Sequence, residues 1–226
     1  MGQGAPQRGN PLPPLIGIIE VIHGFHAASG YLTAARRKGV LTVVLVEGSS
    51  SIQLFKKKIK FAQEPIAFYD NNLEGTIQLH DDALVVTAQI SGFLMKRVMI
   101  DQGSRADVMY LDLFRGLGLR NKDLSKYSTP LVGFDAKVVV PDGQISLPMN
   151  MEGKEVIVTF IVVTSFSSYT AILGRPWIHA MGAVPSTLHI KVKFPTEQGI
   201  AVVRGSQQTG RQCLVAIVNK KKERAN

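Results

Sequence analysis

From residue 83 onward the chain is a succession of short apolar runs rich in β-forming residues, cut at regular spacing by turn residues. Such spacing suits a compact all-β domain. The run from Val156 to Val163 is almost unbroken and reads as a strand buried on both faces. Ala83 to Ile90 and Phe93 to Ile100 flank Ser91-Gly92, where glycine supplies the positive φ of a two-residue hairpin turn. Gln144 to Met149 and Glu155 to Val163 pair across Asn150 to Lys154. Met109, Tyr110, Leu113, Phe114 and Leu117 recur at helical spacing before Gly116 and Gly118, which predicts a short helix. Tyr169 to Leu173 is a strand ending at Gly174, and Pro176 suits the first turn of a following helix packed through Trp177, His179 and Met181. Leu188, Ile190, Val192 and Phe194 alternate with His189, Lys191 and Lys193, a half-exposed strand that turns His189 to solvent. Ile200 to Val203 and Cys213 to Val218 offer two more strands.

One strand ends abnormally. Val98-Met99-Ile100 runs directly into Asp101, followed by Gln102-Gly103-Ser104. An acid at the end of an apolar strand is costly to desolvate unless it is hydrogen-bonded or used, so Asp101 is the candidate reactive group.

The first 75 residues have a different texture: Pro6, Pro11, Pro13 and Pro14, then a basic cluster, with one clear strand candidate at Val40 to Val46. They read as a poorly ordered linker. His80-Asp81-Asp82 reads as an exposed turn, because three consecutive residues rarely converge on one metal ion. The formal charge of +9 makes polyanion contact plausible, but lysines cluster only at Lys56 to Lys60 and Lys220 to Lys222, leaving a weak nucleic-acid contact through basic segments. The chain has neither a Cys-Cys-His-Cys knuckle nor histidines at ligand spacing, so neither a metal nor a cofactor is expected. The single cysteine, Cys213, excludes an intrachain disulfide and fits a reducing compartment. No run approaches the ~18 apolar residues that cross a bilayer, and Leu15 to Ile22 is broken by Glu20 without a basic leader. The expectation is an intracellular chain without membrane attachment.

Together, Asp101-Gln102-Gly103-Ser104 after an apolar strand, a hairpin through Val132-Gly133-Phe134, and Ala171-Ile172-Leu173-Gly174-Arg175-Pro176-Trp177 some seventy residues beyond the acid resemble a retropepsin-type aspartic protease. The likeness is to the protease segment of plant gypsy-type LTR-retrotransposon gag-pol polyproteins. It divides the chain into a gag-to-protease linker (1–75), a protease domain (76–218) and a basic tail (219–226).

The resemblance implies a retropepsin-like closed β-barrel with one or two short helices. It implies Asp101 as the catalytic acid, Gln102, Gly103 and Ser104 as the active-site loop, Val132, Gly133 and Phe134 as a flap, and Gly174 with Arg175 as the motif behind the loop. Aspartic proteolysis uses two carboxylates sharing one proton, and this chain offers one, so the resemblance implies a homodimer acting on a polypeptide. Thr187 to Phe194 is the strand that would build the dimer interface. Gln102 stands where retropepsins carry a hydroxyl that bonds across the two-fold, and Arg105 where retroviral relatives carry an acid for the arginine of the Gly-Arg motif, which leaves Asp107 as the partner for Arg175. The alternative reading is a catalytically inactive retropepsin-like dimerisation or peptide-binding module.

Overall fold

The computed structural model describes residues 17–19, 65–132 and 138–223. The linker strand candidate Val40 to Val46 and the flap residues Gly133 and Phe134 lie outside them.

Strands β1 (Gly17–Ile19), β2 (Val85–Ile90), β3 (Phe93–Ile100) and β4 (Asp107–Tyr110) lead into helix α1 (Leu111–Gly116). The short β5 (Leu131–Val132) and β6 (Val138–Val139) follow, then β7 (Gly143–Met151), β8 (Lys154–Val163), β9 (Ala171–Leu173) and helix α2 (Arg175–Met181). The chain continues through β10 (Val184–Ser186), β11 (Lys191–Thr196) and β12 (Gly199–Arg204) into helix α3 (Gln207–Glu223).

Six strands close on themselves in the order β3-β2-β7-β8-β4-β9, with β9 pairing back onto β3. The barrel is mixed: β3 with β9 and β4 with β8 run parallel, the other neighbours antiparallel. Closure removes the free edges that an open sheet of this size would carry. The β2–β3 turn has φ of 49° at Ser91 and 82° at Gly92, and the β7–β8 turn has φ of 49° at Glu152 and 80° at Gly153. Both have the two positive φ values of a turn whose twist matches its strands.

A bulge sets the fate of β3. Val86 pairs with Val98 but Ala88 with Met95, so Lys96 and Arg97 together oppose Thr87, and Arg97 takes φ 62°. Thr170 collects the two carbonyls of the bulge, its hydroxyl donating to Lys96 O at 2.7 Å and its amide to Arg97 O at 3.0 Å. Upstream of the bulge β3 pairs with β1; downstream it pairs with β9, which begins at the residue after Thr170.

A main core joins the barrel to its flanking elements, and a smaller cluster of Val108, Ile161 and Val163 lies apart from it. Met95, Met109, Phe160 and Leu173 from the barrel pack with Leu113 of α1, with Trp177 and Met181 of α2, with Ile190 in the turn before β11, and with Val192 and Phe194 of β11. The expected burial of β8 on both faces holds only for its second half: Phe160 to Val163 are all buried, whereas Ile157 is 64% exposed. The first half merely alternates, as an antiparallel strand with one wet face does.

Three local expectations are corrected. Cys213 to Val218 is helical, part of α3, which also runs into the stretch read as a basic tail. Gly210 and Cys213, three residues apart, face the barrel while Leu214, Val215 and Val218 are exposed, and a short apolar run does not distinguish that stripe from a strand. His189 is buried: Phe68 stacks on its ring at 4.9 Å and Ser186 Oγ lies 2.8 Å from Nδ1. Asp82 is no exposed turn acid, since its nearly buried carboxylate takes Arg211 through both Nε and Nη2 and so fastens α3 to the start of β2.

Segment 65–80 lies over the outer face of β11. Lys193 Nζ donates to Ala67 O and Asn72 Oδ1, Lys191 Nζ to Asn72 O, and Thr76 Oγ1 to His189 O. Strand β11 is therefore paired on both edges, by β10 and β12, and covered on its outer face. Of the stretch Thr187 to Phe194, residues 187–190 form a turn with Leu188 exposed, and only Lys191 to Phe194 lie in a strand, β11, between β10 and β12. Among the described residues no helix is long and apolar enough to cross a membrane.

Candidate active site

The parallel pairing of β3 with β9 decides the site. In register, Val98 faces Ala171, Met99 faces Ile172 and Ile100 faces Leu173. Two strands that run side by side must release their next residues at the same place, so Asp101 and Gly174 emerge together, and Asp101 N donates to Leu173 O at 2.9 Å. Strand β4 runs antiparallel to β9 and so begins at this same end, which brings Asp107 there as well. Sixty-seven residues of chain separate Asp107 from Gly174, yet three strand ends converge.

Asp101 is half-buried, with Gln102 and Gly103 exposed beside it. Gly103 N donates to Asp101 Oδ1 at 2.8 Å, a bond that fixes the orientation of the carboxylate. Ser104 N donates to Asp101 O at 3.2 Å, while the Ser104 hydroxyl turns to Ala106 O at 2.7 Å. Ser104 therefore shapes the loop. Gln102 Nε2 donates to Pro185 O at 3.0 Å.

Gly174 and Arg175 meet this loop through the main chain. Arg175 N donates to Ser104 O at 3.0 Å, and the Arg175 side chain is exposed. A Cβ at Gly174 would stand 2.5 Å from Ala106 O and 2.9 Å from Ser104 O, both backbone atoms, so only glycine allows this approach.

Asp107 does not pair with Arg175. Its Oδ1 accepts the Gly174 amide at 2.7 Å, and the backbone of Trp177 bonds the same carboxyl, so this acid caps the first turn of α2. Burial pushes its pKa up to about 6, and those two amides oppose the rise. No sequence pattern pointed to this cap; an acid immediately before the apolar Val108-Met109 was the available signal.

Val132 on β5 is 67% exposed and Val138 beside it on β6 is 62% exposed, while Leu131 and Val139 pack against Val108, Ile161 and Val163 of the barrel. Among the described residues, no group of histidine, cysteine, aspartate or glutamate forms a metal-binding cluster. A cavity of about 820 Å³ runs along α3 between Ile77, Phe166 and Val215, and none of the loop residues lines it.

No family model matches the chain, and neither does any curated protein. Its structure is similar to the retroviral protease-like domain of Ddi1 from Leishmania major, with a TM-score of 0.45 and 17% identity over 56% of this chain and 96% of that one. It is similar to EIAV protease in complex with the inhibitor HBY-793, with a TM-score of 0.40 and 20% identity over 49% of this chain and 98% of that one. It is also similar to a retropepsin-like aspartic protease from Rickettsia conorii, with a TM-score of 0.36 and 16% identity over 53% and 80% of the two chains.

Proposed function

We propose that the chain is an aspartic endopeptidase that works as a homodimer, each subunit contributing Asp101. The observation that carries this reading is the placement of Asp101: a half-buried carboxylate at the end of a barrel strand, on a loop pinned by backbone bonds to Leu173 and Arg175. A single carboxylate has neither the shared proton nor the two opposite roles that water-mediated peptide hydrolysis needs. Two facing Asp101 side chains supply both roles by sharing one proton, the ionised group activating water while the protonated one donates to the scissile carbonyl. In this reading Gly103 and Ser104 line the cleft, and the hairpin based on Val132, with Gly133 and Phe134, closes over an extended peptide. The finer assignment, to the protease of a plant gypsy-type retroelement polyprotein preceded by a linker, rests on the motif likeness alone.

The second reading is a peptide-binding or dimerisation module without turnover. Gln102 favours it, because an N–H of its amide is bonded to Pro185 within its own chain, where a hydroxyl bond across a two-fold would tie two catalytic loops together.

Cleavage of a peptide library at mildly acidic pH, with Asp101→Asn and pepstatin as controls, separates the two. Cleavage that Asp101→Asn abolishes supports the protease; cleavage that survives it, or a strict monomer by sedimentation at high concentration, removes the shared-acid site. Binding of extended peptides without turnover selects the module.

A further inference from the structure

Gln102 has an exposed side chain, yet its amide is fixed on a carbonyl 83 residues away. That carbonyl belongs to Pro185, the middle residue of β10, whose neighbour within its sheet is β11. Proline has no N–H to offer, so the carbonyl is the one backbone group that Pro185 presents.

The segment from Gly174 to Pro185 thus holds the Asp101 loop at both ends. At its head, Gly174 N bonds Asp107 and Arg175 N bonds Ser104 O; at its tail, Pro185 O takes Gln102. Between them α2 buries Trp177, Ile178 and Met181 in the core, so head and tail move as one body. An amide suits the tail contact: it reaches, it donates, and it adds no charge beside Asp101.

We infer that Gln102 is a positioning residue, which holds the Asp101 loop against β10 within one chain and so orients the carboxylate without help from a neighbouring subunit. Its catalytic consequence rests on the protease reading above; the contact itself does not.

The test uses the full chain with Gln102→Met, of similar length without a donor, and Gln102→Glu, of similar shape and without a donor once it is ionised. The Gly103 amide, bonded to Asp101 on the same loop, is expected to exchange with solvent about five- to tenfold faster in both variants, the loss that one neutral hydrogen bond produces. The change is expected at every protein concentration, with a fall in Tm of no more than about 2–4 °C. The kcat for peptide cleavage falls by a similar factor with KM unchanged. Unaltered Gly103 exchange in both variants overturns the inference. So does protection that grows with protein concentration, which would put the bond between subunits. If the wild type cleaves no peptide, the protease reading fails, and the exchange measurement still decides the role of Gln102.

Discussion

The Asp107 carboxylate accepts the amide of Gly174 at 2.7 Å, so a buried acid at the start of one strand caps the helix that follows another. The bond joins the two halves of the candidate site, and each half has its own consequence.

Asp107 makes the fold more stable in mild acid. Its folded pKa, about 6, lies above the ordinary 3.8, so between these values the folded chain holds a proton that the unfolded chain has released. Stability therefore falls as pH rises from about 4 to about 6, by about 3 kcal/mol at most, and is level above that. Denaturant titrations across this range should lose that slope in Asp107→Asn, and an unchanged slope would assign it to other groups.

Gly174→Ala should destabilise the domain by about 1–3 kcal/mol, because the added methyl meets two backbone carbonyls that cannot swing aside as a side chain would. The loop carrying Asp101 must shift to admit it, so peptide cleavage should fall further than the loss of stability explains. Urea midpoints alongside kcat separate the two effects.

The two halves of β8 should respond differently. Phe160 is fully buried, and Phe160→Ala should cost about 3–5 kcal/mol. Ile157, on the wet face, should tolerate Ile157→Ser within about 0.5 kcal/mol. Equal losses at both positions would mean that a partner covers Ile157 in solution.

Arg211 beside Asp82 holds that carboxyl below its usual range, with Gln207 adding a second bond. This stabilisation is present above the ordinary carboxylate range and disappears as pH falls through the lowered value. Arg211→Met should remove it, and hydrogen exchange should then show α3 opening more often while the barrel strands keep their protection.

Most of the strand content was legible locally. Ser91-Gly92 marked its own turn, since few residues tolerate the φ values found there, and Gly174 before Pro176 marked a strand giving way to a helix. Burial of Trp177 and Met181 followed from helical spacing. The exposed His179 did not, because one helix face is enough to bury its neighbours. His189 was misplaced because its cover, Phe68, lies 121 residues earlier in a stretch with no pattern of its own. Cys213 to Val218 was misread because six residues are too few for the two periods to diverge.

Alone, the sequence determined an all-β domain with short helices and an acid stranded at the end of an apolar run, because alternation, turn chemistry and desolvation cost act over a few residues. The tertiary structure decided what surrounds that acid. The parallel pairing of β3 with β9, the arrival of Asp107 at Gly174 and the reach of Gln102 to Pro185 join segments some seventy or more residues apart. Nothing within either segment specifies its partner. Only closing the barrel over a shared core brings them to one place.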